Sequence, residues 1–167
     1  FNTASGTYTY YTLPDSMLIN DAMPVRADTI LLAIRNKGMY YYSLRYEELH
    51  PIPWAFEEQD IPMINPVFFK IVSLKDGHYA LCSENYSLMI FDPQKQTFKH
   101  VDVSQLVNTN RVYSVEEDAA HNLWIQASNQ LLYYKRKEDA LLKINMSNSF
   151  GGNMPYFFMK DGRQLYA

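Results

Sequence analysis

Four histidines, His50, His78, His100 and His121, are the first side chains here that could do chemistry. None stands at a metal-ligand spacing such as His-x-x-x-His, so a shared metal site is not what they suggest. Cys82 is the one cysteine. A Cys–His nucleophile would need a partner that nothing in the sequence marks, and the plainer reading is a buried strand residue. Carboxylates cluster at Glu57-Glu58-Gln59-Asp60 and at Glu116-Glu117-Asp118. Glycoside cleavage needs two carboxylates facing each other across a sugar bond, and closeness in sequence does not supply that. There is no Gly-x-Ser-x-Gly, phosphate loop or dinucleotide fingerprint. The expectation is no catalytic residue, no metal and no cofactor.

Amides and aromatic rings are the richer resource, and their spacing points to the elements that carry them. Asparagine recurs at Asn20, Asn65, Asn110 and Asn153, at intervals of 45, 45 and 43. Each opens a short apolar stretch, a polar turn and a second apolar strand. An internal repeat of this length sets the architecture. The middle hairpins read Ile30 to Ile34 with Met39 to Tyr42, Tyr79 to Cys82 with Leu88 to Phe91, and Leu123 to Gln126 with Leu131 to Tyr134. Short apolar runs split by Asn, Ser and Gly are hairpin signals. Inner strands precede them at Val67 to Leu74, Val112 to Glu116 and Tyr156 to Met159. The first is blurred around Ala22 to Val25, where Pro24 disfavours a strand. Outer strands follow at Leu49 to Pro53, Phe98 to Val101 and Leu141 to Ile144, and Tyr8 to Leu13 reads as the outer strand of a preceding unit.

Four antiparallel strands per unit of about 45 residues is the blade of a β-propeller. The chain is read as all-β, about three and a half blades of one propeller domain, with segments near 1–19, 20–64, 65–109, 110–152 and 153–167. A closed ring needs roughly four to eight blades, so the native chain is expected to be longer, the alternative being that copies of this piece associate to close the ring. Net charge is −3, which argues against nucleic acid as a partner. No run approaches the ~18 apolar residues of a membrane span.

Inter-blade crossings and mid-blade hairpin turns are expected to share one face, around the channel mouth. Asn65, Asn110, Arg111, Arg35, Asn36, Asn85, Tyr86 and Asn129 would lie there. Amides, Arg and aromatic rings suit sugar hydroxyls and ring faces, and they also suit a protein. The plainer reading of the asparagines is that each caps a turn through local backbone. Asp118 recurs with Asp76 and Asp161 at intervals of 42 and 43, which marks a turn-former. Trp124 is expected in the core. Trp54, at the start of a long connection after Pro51-Ile52-Pro53, is expected as an exposed stacking platform.

Val112-Tyr113-Ser114-Val115-Glu116-Glu117-Asp118, then Asn122-Leu123-Trp124-Ile125, then Leu131-Leu132-Tyr133-Tyr134, resembles the two-component regulator propeller repeat. Asp161 to Tyr166 and Asp76 to Tyr79 are looser copies. His121 and Ala127-Ser128 stand where the family usually has glycine and a Gly-Thr hairpin. The resemblance implies a sensor domain of a bacterial hybrid two-component histidine kinase, in the periplasm, of the kind common in gut Bacteroidetes. It also implies an oligosaccharide or other small ligand, partners in further blades and adjoining domains, and a homodimeric receptor. A protein-binding scaffold and a propeller glycosidase or lyase are the alternatives.

Overall fold

The computed structural model describes residues 6, 13, 17–57 and 61–145, and the backbone of 159–161 and 164–166. Three four-stranded antiparallel sheets follow one another along the chain, each with its strands in sequence order. The first holds β1 (Ile19–Arg26), β2 (Thr29–Ile34), β3 (Gly38–Ser43) and β4 (Glu48–Pro51). The second holds β5 (Phe68–Ser73), β6 (Tyr79–Ser83), β7 (Leu88–Asp92) and β8 (Thr97–Val101). The third holds β9 (Val112–Glu117), β10 (Leu123–Ala127), β11 (Gln130–Lys135) and β12 (Ala140–Ile144). A hairpin of β13 (Met159–Asp161) and β14 (Gln164–Tyr166) follows. Tyr8 to Tyr11 and Asn153 to Phe158 lie outside the described residues.

The sheets stack face to face as blades. Successive side chains of a strand point to opposite faces, and the second blade uses both. Leu81, Met89, Phe91 and Phe98 pack against Leu31, Ala33, Met39 and Ile52 of blade one. Ala80, Cys82, Leu88 and Ile90 pack against Val115, Leu123, Ile125 and Leu132 of blade three. A strand buried on both faces loses its polar alternation, and every residue of β7 is buried. The two seams differ in kind. Blade two meets blade one with phenylalanine rings, its own Phe91 and Phe98 stacked on each other at 4.7 Å and packed against Leu31, Ala33 and Met39. Blades two and three meet through aliphatic side chains and the buried thiol of Cys82, which burial pushes up to about 12.

Each inner strand carries a bulge near its start, at Asn20, Phe69 and Tyr113. The bulges fix the true repeat. Ile19, Phe68 and Val112 hold equivalent positions, spaced 49 (19 to 68) and 44 (68 to 112) residues apart. The asparagines are therefore not equivalent: Asn20 is a bulge residue, while Asn65 and Asn110 stand three and two residues before their strands. Asp118 is likewise offset from Asp76. Asp118 and Leu74 are the matching turn residues, since each donates its N–H across the turn, to Asn122 O and to His78 O.

β1 is a full eight-residue strand and contains Pro24. It is the inner edge of its blade, where a missing N–H breaks no ladder, and Pro24 sits beside a second register shift. The residues after Pro51 fold back along blade two. Phe98 N–H donates to Ala55 O at 2.7 Å, Glu57 N–H donates to Phe98 O at 3.2 Å, and Phe56 forms a parallel bridge with Phe98. This strap puts Trp54 into the seam, with its ring 4.6 Å from Phe98 and 5.6 Å from Phe68. Gly38 makes the slot: a Cβ there would lie 2.5 Å from the indole, and its φ of +96° also disfavours any other residue.

Candidate functional site

The hairpin tips and inter-blade crossings do meet at one end of the strands. Asn36 N–H donates to Pro66 O at 3.0 Å, and Ser87 N–H donates to Asn110 O at 2.7 Å. These are the same bond in successive seams, joining each hairpin tip to the crossing into the next blade. The candidate residues divide into local groups around this rim. Arg35 and Asn36 form the exposed tip of blade one, with Asn36 at a φ of 60°. Asn65, Asn85 and Tyr86 come together at blade two. Asn85 Nδ2 donates to Asn65 O at 3.4 Å, and Tyr86 Oη accepts from Ile64 N–H at 2.6 Å. Asn110 and Arg111 meet the same tip from blade three. Asn110 Oδ1 accepts from Ser87 Oγ at 3.2 Å, and Arg111 pairs with Glu84 and lies over the Tyr113 ring at 5.6 Å. Asn129 is at the exposed tip of blade three, where its Oδ1 accepts from Gln130.

Two expectations fail here for packing reasons. Trp54 is not an exposed platform, because the strap wedges it between Gly38, Phe68 and Phe98. Trp124 is half-buried on the face of blade three away from blade two, 4.7 Å from the Tyr133 ring. Asp118 beside it fits a turn-former. Its carboxylate accepts from Ala120 N–H, Asn122 N–H and Tyr133 Oη at 2.8, 2.9 and 2.7 Å. Burial opposes the charge, and those bonds outweigh it, so the group is held below its usual range.

Inside the rim, blade one reaches the inner edge of β5. Asn20 Nδ2 donates to Phe68 O at 2.8 Å, and Asp21 Oδ2 accepts from Ile71 N–H at 2.7 Å. Lys70, the residue equivalent to Asp21, donates to Ser114 Oγ at 3.0 Å. The role of Asn20 is thus to satisfy a neighbouring blade's backbone.

At the other end of the strands, each seam opens into a cleft that the sequence did not disclose. The cleft between blades one and two has a volume of about 660 Å³. Blade one contributes Thr29, Tyr41, Ser43 and His50, with Thr29 opposite Ser43 and Tyr41 opposite His50. Blade two contributes Tyr79, Gln94 and Gln96. The cleft between blades two and three is smaller, about 360 Å³. Its walls hold the matching positions: His78, Ile90, Asp92 and Lys99 from blade two, and Arg136 and Lys137 from blade three. Gln96 and Asp139 match as the left-handed residues closing the two turns, at φ of 59° and 51°.

The smaller cleft is laced by its own charges. Arg136 Nη2 donates to Asp76 at 2.6 Å, His78 Nε2 lies 3.5 Å from Asp92, and Lys99 pairs with Asp139 at 2.9 Å. Burial opposes charge on Asp76, and the Arg136 bond overrides it; for Asp92 the backbone N–H groups of Lys95 and Gln94 do so. Asp139 is held low first by Tyr134 Oη and then by Lys99. The larger cleft has no carboxylate in its lining, and the hydrogen bond that crosses it, Gln96 Nε2 to Tyr41 Oη, is long at 3.5 Å. The signal for it lies in pairs such as Tyr41 and Gln96, far apart in sequence and joined only once the blade register is known.

Among the described residues no group of His, Cys, Asp and Glu could hold a metal, and no helix is long and apolar enough to cross a membrane.

No protein-family model matches the chain, and no curated protein matches it. Solved structures do. The chain is similar to the extracellular domain of a putative hybrid two-component system from B. thetaiotaomicron, with 16% identity and a TM-score of 0.67 over 91% of this chain and 20% of that one. A second such extracellular domain from the same organism is 14% identical, with a TM-score of 0.54 over 74% of this chain and 16% of that one. The WD40 repeats of RRP9 match at 12% identity and a TM-score of 0.53, over 78% of this chain and 39% of that one. The chain thus spans about a fifth of the length of the two-component structures, and what it shares with them and with the WD40 repeats is the fold: a β-propeller, three of whose blades are described here.

Proposed function

We propose that this chain is part of an extracytoplasmic ligand-sensing propeller in a hybrid two-component receptor, that it detects an oligosaccharide, and that it acts by binding rather than catalysis. The observation that carries this reading is the likeness to the B. thetaiotaomicron extracellular domain over 91% of the chain. The blade phrase around Trp124 supports it. In the periplasm, ligand binding would favour one arrangement of a receptor dimer and pass that preference across the membrane to a kinase. A ligand shifts such an equilibrium only by its differential affinity for the two arrangements. The test is the gene beyond Ala167. Further blades, a membrane-spanning helix and a histidine-kinase region are expected. An early stop codon or a cytosolic partner domain overturns the reading.

A second reading, a protein-binding rim, has one observation behind it. Leu18 and Ile64, next to the hairpin tips of blades one and two, are 62% and 69% exposed. Apolar side chains at a rim suit an adjoining domain or a protein partner. Mutating both to Ser leaves glycan affinity unchanged and weakens domain or partner association on this reading.

A further inference from the structure

We propose that the cleft between blades one and two, at the end of the strands opposite the asparagine-bearing tips, is a binding site for a neutral oligosaccharide. This deepens the sensor reading and rests on it. The two clefts occupy matching positions in the repeat, so blade packing alone does not dictate what fills them. Between blades two and three the position is narrowed by ion pairs reaching across the seam, Arg136 to Asp76 and Lys99 to Asp139. Between blades one and two neither pair recurs: Pro93 stands for Arg136, Gln96 for Asp139 and His50 for Lys99, and Thr29 and Ser43 stand for the His78 and Asp92 of blade two. What crosses there is the long Gln96 to Tyr41 hydrogen bond at 3.5 Å, and the volume left is about 660 Å³, within the range of small-ligand sites.

The lining chemistry selects the ligand class. Gln94 and Gln96 each offer an acceptor oxygen and two donor hydrogens, and the hydroxyls of Thr29 and Ser43 do both jobs. Sugar hydroxyls need that mixture. Tyr41 and Tyr79 are half-buried where the aromatic seam ends, and present ring surface for the apolar face of a sugar. A cationic ligand finds no carboxylate to pair with. A phosphorylated one finds only Arg26 and His50, without the backbone N–H cradle that holds phosphates. The cleft is open along one side, so a short stretch of a longer glycan fits without a free end.

The experiment is an array of neutral oligosaccharides probed with the intact protein, followed by calorimetric titration of the strongest binder. Gln94→Ala combined with Gln96→Gly removes both amides and suits the left-handed backbone at 96. It is expected to weaken binding at least about tenfold while leaving the melting temperature in place. Should that variant fail to fold, Gln94→Trp at the exposed mouth gives the same loss by blocking access. Wild-type affinity in these variants, with loss instead in Asn110→Ala or Arg111→Ala, overturns the cleft assignment and leaves oligosaccharide sensing standing at the other end. No binding to any glycan on the array overturns both.

Discussion

Where blade two presents Gln96 to blade one, blade three presents Asp139 to blade two, and the seams diverge from there. Lys99 answers Asp139 across the second seam, while the Tyr41 hydroxyl meets Gln96 across the first at 3.5 Å. One seam is aliphatic above and ion-paired below. The other is aromatic above, strapped on its outer side, and below it is open, with no carboxylate in its lining. A repeat supplies the same backbone positions each time, and side chains decide whether a position holds the molecule together or remains available. Partly exposed ion pairs each contribute little, yet they fill the space a ligand would need. Stability in the first seam comes instead from rings and the strap, which leaves its lower cleft free of structural duty.

The largest expected effect breaks that division of labour. Trp54→Ala removes the indole from between Phe68 and Phe98 and should cost about 3 kcal/mol in denaturant unfolding, at the low end for a tryptophan because Trp54 is half-buried. Next is Arg136→Ala, expected to cost about 1–2 kcal/mol, since Arg136 is 16% exposed and its loss leaves Asp76 without that partner. In the first seam Gln94→Ala, at the position matching Lys137, should cost under about 0.5 kcal/mol. A ratio near one between these two would erase the distinction drawn between the clefts.

Acid sharpens the same contrast. Asp76, Asp92 and Asp139, all in or beside the second seam, are held below the usual carboxylate range. A carboxyl lowered on folding contributes stability that is intact above its unfolded value and lost as pH falls through its folded one. Hydrogen exchange below about pH 4 should therefore quicken first in β9 to β12, while β2 and β3 stay protected. Equal loss on both sides would show that these pairs do not hold the second seam. A modest effect is expected at the rim: Asn110→Ala should cost roughly 0.5–1 kcal/mol through the lost bond to Ser87, read as a shift in the denaturation midpoint.

The strands were legible because alternation and turn chemistry are local. Leu123 to Ala127 and Gln130 to Lys135 fall where the sequence places them. The repeat was legible for a reason that proved partly accidental. Asparagine spacing of 45 lies close to the structural 49 and 44, yet the asparagines themselves occupy three different backbone settings. Loops vary in length between blades, and only strand register is conserved by the ladder. Trp54 was misplaced because a Pro-flanked segment reads as exposed, and the slot that takes it exists only through the missing side chain of Gly38. Arg111, Asn110 and Tyr86 do gather at the tips, but much of their bonding capacity is already spent on neighbouring loops. The clefts were invisible because each is made from two blades whose contributing residues lie some fifty positions apart.

The strap has a mechanical meaning. Because Ala55, Phe56 and Glu57 run as a rung beside Phe98, blades one and two are joined by backbone hydrogen bonds loaded in shear as well as by side-chain contact. A force or torque applied to either one is carried by both. Compliance then concentrates at the next seam, where the tip bond from Ser87 N–H to Asn110 O and side-chain contacts bear the load without a strap, and that is where the described blades would hinge.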